Sequence, residues 1–276
     1  MINNYFKNFL KIILPYKVIN YIKYYKDRKD ILDQKSILIN TSLDLNNFSF
    51  LKKYNNKDFQ EFINNRTFNF HISKKSESIS IEDQFILNII SKNAMPNNIL
   101  EIGTFIGASS YIISKTLNEN YINHHIDTVD IIDVNSLKNK NYIKKNFSID
   151  NTPDELFKKS KLEKYISYFK SGSVNFFKKY NKKYDLIFID GSHKARDAYF
   201  DIVNAINSIN HDGIILIHDY YNYFNKNNPK KILTFGPCLA LNKLIRENKN
   251  IKIIEIKNIL DFLPYTSMVG LVNVSN

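Results

Sequence analysis

From residue 99 onward the sequence repeats one alternation: a short apolar run, then a stretch with helical periodicity. The runs cover 99–102, 126–132, 165–169, 186–189, 214–217, 251–256 and 268–274, and they are rich in isoleucine, valine and aromatic residues, the types that favour strands. Runs this short with apolar residues at successive positions offer both faces to a core. A strand buried on both faces belongs in a mainly parallel sheet covered by helices above and below. The expected fold class is therefore α/β, a doubly wound, Rossmann-like sheet.

The helical stretches carry their own punctuation. Ser80 with Asp83 three residues on has the form of a capping box before the apolar face Phe85, Ile86, Ile89 and Ile90. Thr152-Pro153-Asp154-Glu155 offers an N-cap, a proline at the first helical position and an acid at the third. Ala195, Ala198, Tyr199, Ile202, Ile206 and Ile209 form a helical stripe, and Pro237 starts another helix.

Composition narrows the class further. The chain has 276 residues, 43% hydrophobic and 14% aromatic, enough for a substantial core and too apolar for wholesale disorder. One cysteine, Cys238, excludes an internal disulfide framework and a thiolate metal cluster, which fits a reducing, cytoplasmic setting. No run approaches the ~20 apolar residues of a membrane span. Residues 1–14 do not read as a signal peptide, because polar residues interrupt them and no small-residue cleavage site follows. The net charge of +12 favours acidic partners without choosing among nucleic acid, anionic lipid and phosphorylated substrates.

None of the seven glycines lies in the first 102 residues, which divides the chain into a helical and loop extension over 1–80 and a main domain over 81–276. In the extension, Phe6, Phe9, Leu10 and Ile13 recur at helical spacing, Pro15 interrupts, and Val18, Ile19, Ile22 and Tyr25 resume the period among lysines. Such a basic stripe docks on its own domain, on a second copy in a homo-oligomer, or peripherally on an anionic membrane.

In a doubly wound sheet, ligands bind beyond the carboxyl ends of the strands. The first end reads Glu101-Ile-Gly103-Thr104-Phe-Ile-Gly107-Ala-Ser109, two glycines four apart in a strand-to-helix turn. It is neither G-x-G-x-x-G nor a P-loop. The second end places Asp130 where ribose hydroxyls are held in nucleotide-binding folds, with Asp133 as a competitor. The third is the small polar turn Ser171-Gly172-Ser173. The fourth and fifth end in Asp190-Gly-Ser-His193 and His218-Asp219. Neighbouring strands lie ~4.8 Å apart, so Asp190 and Asp219 can converge on one cation, for which hard oxygen ligands suit Mg²⁺ or Mn²⁺. Histidines 71, 124, 125 and 211 read as solvated loop residues.

The segment 101–107 resembles motif I of class I S-adenosylmethionine-dependent methyltransferases. Phe188 to His193 with Leu216 to Asp219 is similar to the metal-dependent O-methyltransferases of macrolide sugars and cephalosporin-type antibiotics. The resemblance spans about residues 80–275 and implies a seven-stranded sheet with an antiparallel last strand. It implies S-adenosylmethionine held by Glu101, Gly103, Thr104, Gly107, Ser109, Asp130, Ser173 and Asp190. It also implies a divalent metal on Asp190 and Asp219, with His218 or water as third ligand, and His193 as general base. Those relatives often carry glutamate where this chain has His218.

The activity implied is O-methylation of a small acceptor, a sugar or nucleotide-sugar. The alternatives are a catechol-type or RNA methyltransferase, and a non-catalytic lipid- or partner-binding protein with a vestigial pocket. RNA is disfavoured because Asp190-Gly-Ser-His193 is not an N/D-P-P-Y segment. Gly236-Pro237-Cys238 is the one hint of a cytosine-C5 enzyme.

Overall fold

The computed structural model describes residues 16–37, 45–65, 79–221, 234–248, 250–263 and 266–273. The stripe at Phe6 to Ile13, His71 and most of the segment after Tyr220 lie outside them. Seven strands form one sheet: β1 (Asn98–Ile102), β2 (His125–Asp130), β3 (Ile166–Lys170), β4 (Tyr184–Ile189), β5 (Ile209–Ile217), β6 (Ile251–Glu255) and β7 (Val269–Asn273). Their order is β3-β2-β1-β4-β5-β7-β6. The first five strands pair in parallel, and β7 runs antiparallel between β5 and β6. The expected sheet, with its reversed last strand, is what forms.

The strands carry apolar side chains on both faces because each face has its own core. Leu100, Ile102, Ile187, Ile189, Ile215 and Ile217 point into one layer, while their neighbours Ile99, Leu186, Phe188, Ile214 and Leu216 point into the other. Each such aliphatic side chain contributes ~1.5–3 kcal/mol by leaving water, so the alternation stabilises both layers. Helices α1 (Tyr16–Leu32), α8 (Ala195–Ser208) and α9 (Gly236–Glu247) supply buried residues to the first layer. Helices α2 (Asn56–Asn65), α3 (Ile81–Ala94) and α4 (Ala108–Glu119) supply the second, which Phe48 and Leu51 join and where Phe59 packs against Phe85.

Local signals act as expected at α3, where Ser80 Oγ accepts from the Asp83 N–H. At α6 (Pro153–Lys159), Thr152 and Glu155 close a full capping box. Between β2 and β3 lies a further helix, α5 (Leu137–Phe147). Ser173–Lys179 forms α7.

The apolar residues of 18–25 divide in the structure: Ile19 is buried, whereas Val18, Ile22 and Tyr25 are exposed. His124 is buried, not solvated: its ring stacks on Tyr165 at 4.3 Å, and its two nitrogens meet Ser114 Oγ and the Ile122 carbonyl. His125 sits on β2 against Ser167, and His211 is exposed as expected. No described helix is long and apolar enough to cross a membrane.

Candidate active site

The carboxyl ends of β1, β4 and β5 are laced together by main-chain bonds beyond the strands. The Asp190 N–H donates to the Ile102 carbonyl at 2.8 Å, and the His218 N–H donates to the Ile189 carbonyl at 3.0 Å. Gly103 makes this possible. Its φ is +96°, and a Cβ there would meet the Asp190 carbonyl oxygen at 2.1 Å, so only glycine lets the turn after β1 lie against the end of β4. On the other side, a Cβ on Gly236 would meet the His193 carbonyl oxygen at 2.1 Å. The segment 190–193 is thus wedged between two glycines.

One cavity of about 1280 Å³ opens above these ends. Gly103, Thr104, Ser109 and Asp130 line it, as do Ser173, Asp190, His193, His218 and Asp219. Asp130 shapes the turn from below: its Oδ2 accepts from the N–H groups of Thr104 and Phe105 at 3.1 Å each, and its Oδ1 accepts from the Ile132 N–H. Ser173 donates its hydroxyl to Asp201, a carboxylate buried at the cavity wall and pushed up to about 6 by that burial. Asp201 carries no signal in the sequence, because on α8 it falls among the polar positions between stripe residues.

Two of the residues assigned to the cofactor do not line the cavity. Glu101 is fully buried beneath the turn, where it accepts the hydroxyls of Ser109, Ser110 and Thr128. Burial pushes its carboxyl up to about 7, against the lowering effect of those three donors. Gly107 begins α4 and faces Pro153, whose Cβ would lie 3.0 Å from an added Cβ. Glu101 and Gly107 shape the turn from behind.

The acidic cluster is organised around two histidines. Ligand atoms of Asp190, His193 and Asp219 all lie within 4.8 Å of one another. His193 Nε2 stands 2.9 Å from Asp219 Oδ2, and this hydrogen bond raises the imidazole above its ordinary range, with burial opposing. His218 lies outside that trio of donors. Its Nδ1 is 3.1 Å from Asp190 Oδ1 and 3.5 Å from Asp219 Oδ1, while its Nε2 is 3.1 Å from Asp83 Oδ2. Burial works against a charged ring here, but Asp190, Asp219 and Asp83 outweigh it and hold His218 well above its ordinary range. Both ring nitrogens are therefore engaged by carboxylates, which leaves His218 facing them as a cation and not as a free donor atom.

Asp83 completes the arrangement from α3. It is buried, and accepts from Ser80 Oγ and from Thr266 Oγ1 at 2.6 Å each in addition to His218. Burial opposes its charged form, yet these partners hold it below the usual carboxylate range. The sequence showed Asp83 only as a cap residue. Cys238 is buried and its thiol is pushed up to about 12 by that burial, which makes it a poor nucleophile near neutral pH.

A seven-stranded sheet in this order with β7 reversed, bearing a glycine turn after β1 and an acid at the tip of β2, is the architecture of class I S-adenosylmethionine-dependent methyltransferases. Residues 100–220 match the family model described as a methyltransferase domain. Over those residues the chain is similar to that family, and its sheet has the methyltransferase fold. It shares the fold of the O-methyltransferase TomG from Streptomyces achromogenes, involved in tomaymycin synthesis and solved with S-adenosylmethionine. There the TM-score is 0.53 at 11% identity, over 82% of this chain and 99% of that one. The methyltransferase PaMTH1 from Podospora anserina, solved with S-adenosylhomocysteine, is similar with a TM-score of 0.52 at 15% identity, over 83% of this chain and 93% of that one. No curated protein matches in sequence.

Proposed function

We propose that this protein transfers the methyl group of S-adenosylmethionine to a hydroxyl oxygen of a small acceptor, a vicinal diol on a sugar or nucleotide-sugar. One observation carries the reading: the glycine turn with Asp130 and the group Asp190, His193 and Asp219 line the same cavity. Its volume of about 1280 Å³ exceeds the ~300–1,000 Å³ of an ordinary small-molecule site, which leaves room for a cofactor and an acceptor side by side.

Methyl transfer from a sulfonium is an in-line displacement, so holding both reactants in line supplies much of the catalysis. The β1 turn and Asp130 hold the nucleoside end, and Ser173 with Asp201 borders the same wall. A sugar hydroxyl is almost fully protonated near neutral pH, so a base must take its proton. His193 serves this role: with Nε2–H donating to Asp219 Oδ2, the other ring nitrogen, Nδ1, takes the proton, and Asp219 stabilises the imidazolium that results.

The donor set also fits a hard divalent ion. Three carboxylates, those of Asp83, Asp190 and Asp219, surround the single buried cation His218, so the cluster keeps an excess of negative charge. Asp190 and Asp219 would hold such an ion, with His193 as the nearest nitrogen. When bound, it lowers the pKa of a chelated hydroxyl.

The test is product formation from nucleotide-linked sugars and catechols with Mg²⁺ or Mn²⁺. Asp190→Ala and Asp219→Ala should each abolish turnover while S-adenosylmethionine binding, measured by calorimetry, stays within a few-fold. Full turnover in excess chelator would remove the metal from the reading, and failure to bind S-adenosylmethionine would remove the reading itself.

A further inference from the structure

Among the described residues, helix α1 buries side chains of one side against the domain. Ile19, Asn20 and Ile31 are buried, and Tyr24 packs edge-on against Phe235 with ring centroids 5.7 Å apart. On the opposite side, Val18, Tyr21, Ile22, Tyr25 and Leu32 are between 41% and 62% exposed. At ~100° per residue these five positions fall on one stripe. A single exposed apolar side chain is ordinary, but a stripe of five along a solvent-facing helix is not.

The charges on this helix are sorted about the stripe. Lys17, Lys26 and Arg28 are exposed along its borders and Lys29 lies within it, whereas Asp27 and Asp30 fall outside it.

We propose that this stripe docks on an anionic membrane, with α1 lying in the plane of the interface. Tyrosine rings suit the headgroup level, where one end meets hydrocarbon and the other water. Flanking lysines and arginine meet lipid phosphates, and the whole chain carries +12. A second copy fits this face poorly. A two-fold interface sets the same patch against itself, and here Lys17, Lys26, Arg28 and Lys29 would meet a face with the same excess of positive charge, against which Asp33 just past the helix end supplies a single acid. Lys23, on the same helix, lines the main cavity, so docking sets the rim of that cavity beside the lipid.

The test is sedimentation of the full chain with vesicles of phosphatidylcholine, alone or with phosphatidylglycerol added. The protein is expected to bind the mixed vesicles, to bind neutral ones at least several-fold more weakly, and to lose binding as salt rises. The triple variant Tyr21→Ser, Ile22→Ser, Tyr25→Ser should lower the partition at least tenfold. The variant Lys26→Glu, Arg28→Glu, Lys29→Glu should do the same, each basic side chain contributing on the order of fivefold. All six positions are exposed, and a circular dichroism melt checks that both variants fold. Wild-type protein that stays in solution with mixed vesicles overturns the proposal, as do variants that sediment unchanged. A wild-type dimer in light scattering that the apolar variant converts to monomer also overturns it, since a second copy then covers the stripe.

Discussion

Replacing Glu101 by glutamine should change how the stability of this protein depends on pH. Glu101 is fully buried with three hydroxyls around it, and its carboxyl is raised from 4.5 to about 7. A group that binds its proton more tightly folded than unfolded stabilises the fold fully below its unfolded value, and that contribution is lost as pH rises through the folded one. The window is therefore pH 4.5 to about 7. At ~1.4 kcal/mol per pH unit the loss over the whole window approaches about 3.5 kcal/mol. Glutamine carries no such penalty, and it keeps the local bonds. Its carbonyl accepts from Ser109, and its amide donates to Ser110 and Thr128 once those hydroxyls rotate. Urea denaturation of both proteins from pH 5 to pH 8 isolates the residue, because every other titrating group is common to the pair. The variant should gain on the wild type by about 2–3 kcal/mol across that range. A difference that stays flat to within about 0.5 kcal/mol would show that the carboxylate is not buried uncompensated, and the argument from desolvation would be wrong.

Two further changes probe the site. Gly103→Ala forces a side chain into a left-handed conformation and into the Asp190 carbonyl, so it should cost at least ~1–2 kcal/mol from the conformation alone and weaken S-adenosylmethionine binding at least tenfold in calorimetry. Wild-type affinity in that variant would count against the close approach of β1 and β4. Asp83→Asn leaves the His218 ring short of one of its carboxylates and should destabilise the fold by about 3 kcal/mol, as breaking buried ion pairs does. A loss below about 1 kcal/mol in urea titration would mean that His218 is not held as a buried cation.

The sheet was legible because isoleucine-rich runs such as Leu186–Ile189 are apolar at every position, and that pattern has few solutions other than a doubly covered strand. Two strand ends were legible for the same reason: Asp190 and Asp219 are the first acids after such runs. Helix α1 was not, because apolar residues occur on both of its sides and helical period alone does not tell a buried face from an exposed one. Asp83 was read as a cap, which it is. Nothing local shows that it also meets a histidine 135 residues away. Glu101 looked like a ligand residue because it precedes the glycine turn, but strand alternation sends its side chain behind the turn, toward Thr128, and not into the cavity.

The glycine at the head of α9 has a mechanical corollary. With backbone pressed on backbone at His193, any shift or tilt of that helix is passed straight to the loop that carries the imidazole, with no flexible side chain in between to absorb it. Remodelling aimed at a different acceptor would then have to leave the seating of α9 untouched and work through parts of the rim that no helix end braces.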